Sequence, residues 1–424
     1  MKEFFILFLI LVVVVKGDAD GYFWHISDNH MQMDYKPGSD VTEGCFKGQG
    51  TAGYFGDYNC RSPYIVERTM IDAVTQFFPP GLKGKKPDFI LWTGDTAAKK
   101  GGHFSESIVK EELENVTGLL KQMQKNLGGD VPVFPLIGNH DTYPQHQLLA
   151  TGWWVYDVIA DLWKDFLSED ALKTLKKHGY YSEMVNPKLR ILALNTVYYY
   201  RWNILVPTLE KDPGGQFAWM REQLKEAKDN GESVYIVSHI PPGMTDDRFK
   251  EGFIEPYLKA MEGYHDIIKC QFYGHLHYDL FELLGNITSG DFSVSLPVST
   301  LGSHQNDNPS FRMITFDSKA DFKVTDWTTF YMNLTEANKV GKITWKKLYS
   351  ASEEYGLTEV TPKSMLQLAN KIATDEKYFN RYYKHIHTDN PVPPCEGECK
   401  QTEICRIFYA HPKKFEKCLK QTHF

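Results

Sequence analysis

Asp, His and Asn residues gather at the ends of five short apolar runs. FWHISDNH carries Asp28 and His30, FILWTGD carries Asp95, and VFPLIGNHD carries Asn139, His140 and Asp141. VYIVSHIPPG carries His239, and CQFYGHLH carries His275 and His277. Oxygen and nitrogen donors of this kind suit Zn²⁺, Fe or Mn²⁺. Asp28, His30, Asp95, Asn139, His239, His275 and His277 are too many for one tetrahedral ion and about right for two sharing a carboxylate. Asp95, alone at its run's end, is the candidate bridge. Two cations about 4 Å apart can hold a hydroxide, bind phosphoryl oxygens and stabilise in-line displacement. His140, beside Asn139, is placed to protonate the leaving oxygen, and Asp141 to fix its tautomer. A lone His at a strand end is ordinarily a satisfied polar residue. The joint pattern is what points to metal, and in GHLH the two His project the same way from an extended segment.

The runs are rich in β-branched and aromatic residues and bounded by Gly, Pro, Asn or Asp, which predicts buried strands. Ligands at their carboxyl ends would meet in the crevice where open α/β sheets bind. Strands are expected over 22–27, 89–93, 131–137, 180–184, 190–196, 234–238 and 271–274, then over 281–284, 293–297, 311–316 and 322–331. Helical periodicity marks 64–78, 107–127, 156–177, a helix between Pro213 and Gly231, and 364–386. Strand–helix alternation followed by strands without helices predicts an α/β fold, a two-sheet sandwich flanked by helices. The expected division is a signal peptide at 1–19, a catalytic domain at 20–360 and a C-terminal helical, disulfide-bonded subdomain at 361–424.

The first residues, MKEFFILFLILVVVVKGDAD, hold a basic Lys2, an apolar stretch shorter than a bilayer span and small residues before Asp20. They predict export, to the medium or a lysosome, with no stable membrane insertion. An exported chain oxidises its cysteines. Cys45 and Cys60 flank a Gly-rich loop and are expected to staple it. Cys395, Cys399, Cys405 and Cys418 could hold zinc, since C-x₃-C is near finger spacing. Export favours disulfides instead, Cys395–Cys399 and Cys405–Cys418. Cys270, inside an apolar run, reads as a buried thiol. Sequons at Asn115, Asn286 and Asn333 fit a glycosylated product. The net charge of −7 argues against a nucleic-acid duplex as partner. A monomer acting on a small molecule is expected.

D-x-H, G-D, G-N-H-D, a strand-end His and G-H-x-H, in this order, resemble the calcineurin-like metallophosphoesterases. FWHISD, PDFILWTGD, GDYNC-R-SP, PGGQFAWM, VYIVSHIPPG, FYGHLHYD, NPSFR, YMNLTEAN and the terminal cysteines resemble the acid-sphingomyelinase-like phosphodiesterases, from about residue 22 to 418. The resemblance implies two Zn²⁺ per chain: Asp28, His30, Asp95 and His277 for one, Asp95, Asn139, His239 and His275 for the other. It implies His140 as the catalytic His, and the same disulfide pairs. It is not complete. Four residues after the G-D aspartate the family has a second substrate-facing His; here Lys99 stands there, and His103 is the candidate to take that role. Lys99 could instead hold phosphate as a point charge. No room for a saposin domain lies between Ala19 and the first strand, so soluble phosphodiesters or pyrophosphates are the expected substrates: nucleotides, CDP-choline or cyclic dinucleotides. Sphingomyelin, or binding on a catalytically silent scaffold, are the alternatives. Asn308 and Arg312 of NPSFR are candidate phosphate contacts, and YYYRW at 198–202 a candidate stacking surface.

Overall fold

The apolar runs become strands of two six-stranded sheets in a computed structural model that describes residues 19–245, 248–303 and 307–421. The expected export signal lies almost wholly outside the described residues. In chain order the strands are β1 (Gly21–Ile26), β2 (Met31–Gln32), β3 (Ser62–Pro63), β4 (Phe89–Trp92), β5 (Val133–Pro135), β6 (Tyr181–Asn186), β7 (Leu189–Leu194), β8 (Ser233–Ser238), β9 (Ile268–Tyr273), β10 (Glu282–Asn286), β11 (Asp291–Pro297), β12 (Ser310–Asp317), β13 (Lys323–Tyr331) and β14 (Lys346–Ser350). One sheet runs β14-β13-β12-β1-β4-β5, the other β10-β11-β9-β8-β7-β6, and β2 with β3 forms a small ribbon. β1, β4 and β5 are parallel to one another, as are β7, β8, β9 and β11. Buried on both faces, such strands read as continuous apolar runs.

Aromatic side chains join the sheets. Phe23 of β1 stacks on Phe89 of β4 at 4.3 Å and meets Phe272 of β9 edge-on at 5.2 Å. Each of these fully buried rings stabilises the fold by about 1.5–3 kcal/mol. Trp92 and Trp163 tie the first sheet to its covering helices.

Local signals set the helix ends. Ser105 caps Glu106–Asn126, whose Val109, Leu113, Val116, Leu120 and Met123 form the buried stripe. The helical stretch expected over 156–177 is two helices, Trp154–Leu162 and Glu169–His178. Ser168 starts the second by accepting from the Ala171 amide. The stretch over 364–386 likewise divides, because the Asp375 side chain caps Glu376–Ile386. Helix Glu251–Met261 and strand β14 are additions to the sequence reading.

The helices Pro362–Thr374 and Glu398–Phe408 pack on β10, and the first also on β11. Their Met365, Leu368, Ile404 and Ile407 belong to the same continuous core as the strands. The disulfides Cys45–Cys60, Cys395–Cys399 and Cys405–Cys418 all form as expected, and Cys270 is a buried thiol. The Cys405–Cys418 bridge ties the helix Glu398–Phe408 to Pro412–Leu419. Among the described residues no helix is long and apolar enough to cross a membrane.

Candidate metal centre and active site

The candidate ligands follow the carboxyl ends of β1, β4, β5, β8 and β9, where hydrogen bonds lace the loops together. The Asp28 amide donates to Gly94 O (2.9 Å) and the His30 amide to Asp95 O (3.0 Å). The Asp141 carboxylate accepts from four backbone amides, Gly138 (2.8 Å), Asp95 (2.8 Å), Thr96 (2.7 Å) and Ala97 (3.1 Å). It is therefore the clasp between the loops after β4 and β5, and not the partner of His140 that the sequence suggested. Gln145 takes that place, with Nε2 2.7 Å from His140 Nδ1.

Tight turns aim the ligands. Asp28, His30, Asp95, His275 and His277 all have φ between 44° and 70°, a left-handed backbone that costs non-glycine residues about 1–2 kcal/mol each. Two glycines permit the crowding. A Cβ on Gly138 would lie 2.1 Å from Asp95 Oδ1, and one on Gly274 1.9 Å from Ser27 Oγ.

The donor atoms converge in two groups around Asp95. In the first, His277 Nε2 is 3.1 Å from Asp28 Oδ1 and 3.2 Å from His30 Nε2, which lies 3.6 Å from Asp95 Oδ2. In the second, His239 Nε2 is 3.2 Å from Asp95 Oδ2 and 3.1 Å from Asn139 Oδ1. Asp95, His239 and His275 donor atoms all lie within 4.8 Å of one another. Two ligands about 2.1 Å from a tetrahedral ion stand about 3.4 Å apart, so these separations fit edges of coordination polyhedra. The proton inventory agrees. His239 Nδ1 donates to Thr93 O (2.7 Å), so its Nε2 lone pair faces two oxygens. That arrangement calls for positive charge between them, a proton or a metal ion. Buried Asp28 Oδ1 accepts no hydrogen bond among the described residues. Two divalent ions fit this donor set.

Charge in the site follows from burial and proximity. Burial disfavours charged His239, but the Asp95 carboxylate overrides it and raises the ring to about 9. Burial and the neighbouring His239 charge push His275 down to about 3, a neutral imidazole with lone pairs to offer. Burial would raise Asp95, yet His239 and His140 hold it well below the usual carboxylate range.

A cavity of about 670 Å³ opens beside this centre, lined by Arg61, Lys99, His103, Phe104, His140 and Gln145 among others. The His140 amide donates to Asp95 Oδ1 (2.7 Å) and its ring packs on His30 at 4.7 Å. Burial drives His140 well below its ordinary value, with Arg61 and His146 adding to the effect against the pull of Asp95. Lys99 and His103 are exposed, on a tight loop closed by paired backbone hydrogen bonds between Lys100 and His103 (3.0 and 2.9 Å). Arg61 and His146 escaped the sequence reading. His146 Nδ1, 3.2 Å from Asn139 Nδ2, turns the Asn139 carbonyl oxygen toward His239. Burial lowers Arg61 to about 10, opposed by the Asp95 and Asp28 charges. No spacing rule singles out either residue.

Other candidates lie elsewhere. Asn308 is fully buried; its Nδ2 donates to Thr388 O (3.0 Å) and its Oδ1 accepts from the Leu334 amide (3.0 Å) and Tyr58 (2.9 Å). Arg312 is fully buried against Asp279 and beside Trp327. Neither lines the cavity beside His140, and the printed contacts of both run to other residues of the fold. Tyr198 and Tyr199 are core, while Tyr200 packs edge-on against His275 at 5.2 Å. Of the sequons, Asn286 is exposed, Asn115 lies half-buried in a helix, and Asn333 caps another by accepting from the Glu336 amide (2.8 Å).

Comparison with known proteins places the chain in a family. Residues 21–279 match the calcineurin-like phosphoesterase family, and residues 289–424 match the acid sphingomyelin phosphodiesterase C-terminal region. The chain is 34% identical to the cyclic GMP-AMP phosphodiesterase SMPDL3A of Homo sapiens, over 96% of this chain and 91% of that one. It is 33% identical to acid sphingomyelinase-like phosphodiesterase 3b of Homo sapiens (94% and 90% covered). It is 32% identical to sphingomyelinase phosphodiesterase C of Dictyostelium discoideum (94% and 93% covered). A strand-end donor set built for two metal ions and a match to family over nearly the whole length converge: the chain belongs to the acid-sphingomyelinase-like phosphodiesterases of the calcineurin-like metallophosphoesterases, and is a metal-dependent phosphodiesterase.

Proposed function

We propose that this is a secreted, binuclear-zinc phosphodiesterase that hydrolyses soluble phosphodiesters or pyrophosphates such as nucleotides, CDP-choline or cyclic dinucleotides. The carrying observation is the Asp95 carboxylate, whose Oδ2 stands between His30 (3.6 Å) and His239 (3.2 Å). Asp28, His30, Asp95 and His277 would hold one ion; Asp95, Asn139, His239 and His275 the other. Zinc suits the His and Asp donors and their near-tetrahedral spacing. Bound there, the two ions supply an activated water and positive charge over the phosphoryl oxygens. His140 faces the cavity as proton donor. The Gln145 amide at its Nδ1 holds the proton on Nε2, and an incoming phosphate anion raises the ring toward its charged form. His103 and Lys99 reach the same cavity from its rim as substrate contacts.

The test is metal analysis combined with hydrolysis of bis-p-nitrophenyl phosphate and p-nitrophenyl phosphate. Two zinc ions per chain, chelator-sensitive turnover and preference for the diester are expected. Protein without stoichiometric metal, or active in excess chelator, would falsify the reading.

One observation favours the lipid alternative. The loop leaving Tyr200 exposes Trp202 (51%), Ile204 (79%) and Leu209 (86%), a surface suited to an apolar interface. Hydrolysis of detergent-free sphingomyelin vesicles that W202S abolishes, with bis-p-nitrophenyl phosphate turnover intact, would establish it.

A further inference from the structure

The C-terminal segment reaches the loop that carries His277. Ser299 Oγ donates to His277 O (2.8 Å), and the Asp279 amide donates to Ile386 O (3.0 Å), at the end of the helix Glu376–Ile386. Between these two residues, Tyr278 meets the His387 ring edge-on at 5.2 Å and has the Arg406 guanidinium 5.7 Å from its ring centroid. His387 is itself fixed. Its Nδ1 donates to Asp307 Oδ1 (3.2 Å), and its ring packs on Tyr383 at 5.0 Å. Asp307 is fully buried and lies close enough to His277 for the charge of that ring to act on it.

The turn that follows His387 is strained. Thr388 and Asp389 have φ of 46° and 61°, a left-handed backbone that a β-branched residue such as Thr rarely adopts. Asn308 holds it there. Its amide donates to Thr388 Oγ1 (2.9 Å), Thr388 Oγ1 donates to Asn308 O (3.0 Å), and Asn308 Nδ2 donates to Thr388 O (3.0 Å). Strain persists where the surroundings over-determine it, and it gathers at functional sites. Here its product is the placement of His387 against Tyr278. His277 also has a left-handed backbone (φ 62°), so the direction of its ring depends on what holds the residues after it. His275, two residues earlier, is held from within the site, because its amide donates to Asp28 Oδ2 (2.9 Å).

We propose that His387 and Tyr278 are positioning residues of the metal centre: His387, fixed by Asp307, sets Tyr278 and through it the His277 imidazole. The C-terminal segment thereby governs one ion of the two, the one assigned to Asp28, His30, Asp95 and His277. This rests on the binuclear reading above and deepens it. Loosening the contact between His387 and Tyr278 frees His277 and spares His275, so the loss falls on one ion and not on both. Partners that orient a ligating imidazole act in this way on metal affinity without touching the ion.

Zinc titration against a competing chelator tests this on the full chain, with H387A, Y278A and the double variant beside wild type. Wild type should take up two ions. Each single variant should bind one ion at least about tenfold more weakly and hold the other as wild type does. The double variant should lose no more than the worse single, because the two residues act along one path. Y278F, which keeps the ring, should retain wild-type affinity. Cobalt(II) in place of zinc gives a readout independent of turnover: the visible bands of one ion should shift in H387A and those of the other should not. A merely structural role would lower the melting temperature of the apo-protein and leave both affinities alone. That outcome overturns the proposal, as does an equal loss at both ions. If H387A fails to fold, H387N, which keeps a donor for Asp307 but not the ring facing Tyr278, carries the same expectation. Wild-type protein without stoichiometric metal sinks the binuclear reading and the proposal with it, whereas two ions held equally by wild type and every variant sink the proposal alone.

Discussion

His140 illustrates how a single residue acquires a role from its contacts. Its amide is pinned to Asp95, its Nδ1 to Gln145, its Nε2 stands 4.0 Å from Asp95 Oδ2, and the residue lines the cavity. Removing the ring while keeping the amide should separate chemistry from metal binding. H140A is expected to keep its metal and lose about 10²–10⁴-fold in kcat, the range for a general acid. Near-wild-type turnover with full metal content would reject the assignment. At this scale the sequence was informative where residue type alone carries the chemistry, as with the strand-end Asp, His and Asn. It was silent where a role arises from tertiary contact. Nothing in the spacing of Arg61, Gln145 or His146 reveals that a cavity wall, a ring nitrogen and an Asn amide await them. Asp141 had the right address and another task, because a carboxylate buried beside four free amides is held by them and not by a ring. Asn308 and Arg312 lie away from the cavity for a related reason: polar residues inside a motif can also hold the fold, as their bonds to Thr388 and Asp279 do.

At the scale of elements, the turn after each strand is what converts a strand end into a ligand. G138A places a methyl group 2.1 Å from Asp95 Oδ1 and must displace that carboxylate. Metal affinity should fall at least about tenfold, as expected when ligand support is disturbed, with the circular dichroism spectrum unchanged. Unaltered metal affinity would mean the loops after β4 and β5 are free to move apart. Helix Glu106–Asn126 carries a second measurable feature. Glu112 is buried, and burial, with a smaller contribution from the Glu111 charge, raises it to about 8. A carboxyl raised in the folded state favours folding fully below its unfolded value near 4.3. That contribution is lost as pH climbs to about 8, by up to about 1.4 kcal/mol per pH unit. E112Q should therefore melt with wild type near pH 4 and above it at pH 8. Equal melting temperatures at both pH values would place the charge of Glu112 in water. The strands were legible because burial on both faces gives unbroken apolar runs. β14, KKLYS, was not, since an edge strand with exposed lysines has no such signature. Pro256 hid the helix Glu251–Met261, and the caps at Ser168 and Asp375 divided helices whose periodicity ran straight through.

For the whole molecule, the order of strands and helices along the chain predicts two sheets, but not the insertion of β12 beside β1 or the assignment of β8 and β9 to the opposite sheet. Those are long-range pairings that no local pattern encodes. They have an energetic consequence. Asp28, His30, Asp95 and Asn139 come from one sheet, while His239, His275 and His277 come from the other, so any ion in this centre joins the two sheets across their carboxyl ends. Without the ions, buried carboxylates, a histidine forced to carry charge and five left-handed residues in three loops remain as strain on both sides of the joint. Ions that bind only the folded chain stabilise it by about 2.7 kcal/mol at a hundredfold excess over Kd. Dialysis against a strong chelator should thus lower the melting temperature by several degrees, and added zinc should restore it together with turnover. D95N, which weakens both groups at once, should melt near the chelated wild type and respond little to zinc. A melting temperature indifferent to chelator in wild type would show that the two sheets are held by their aromatic core alone, and that the strand tips bind no ion tightly.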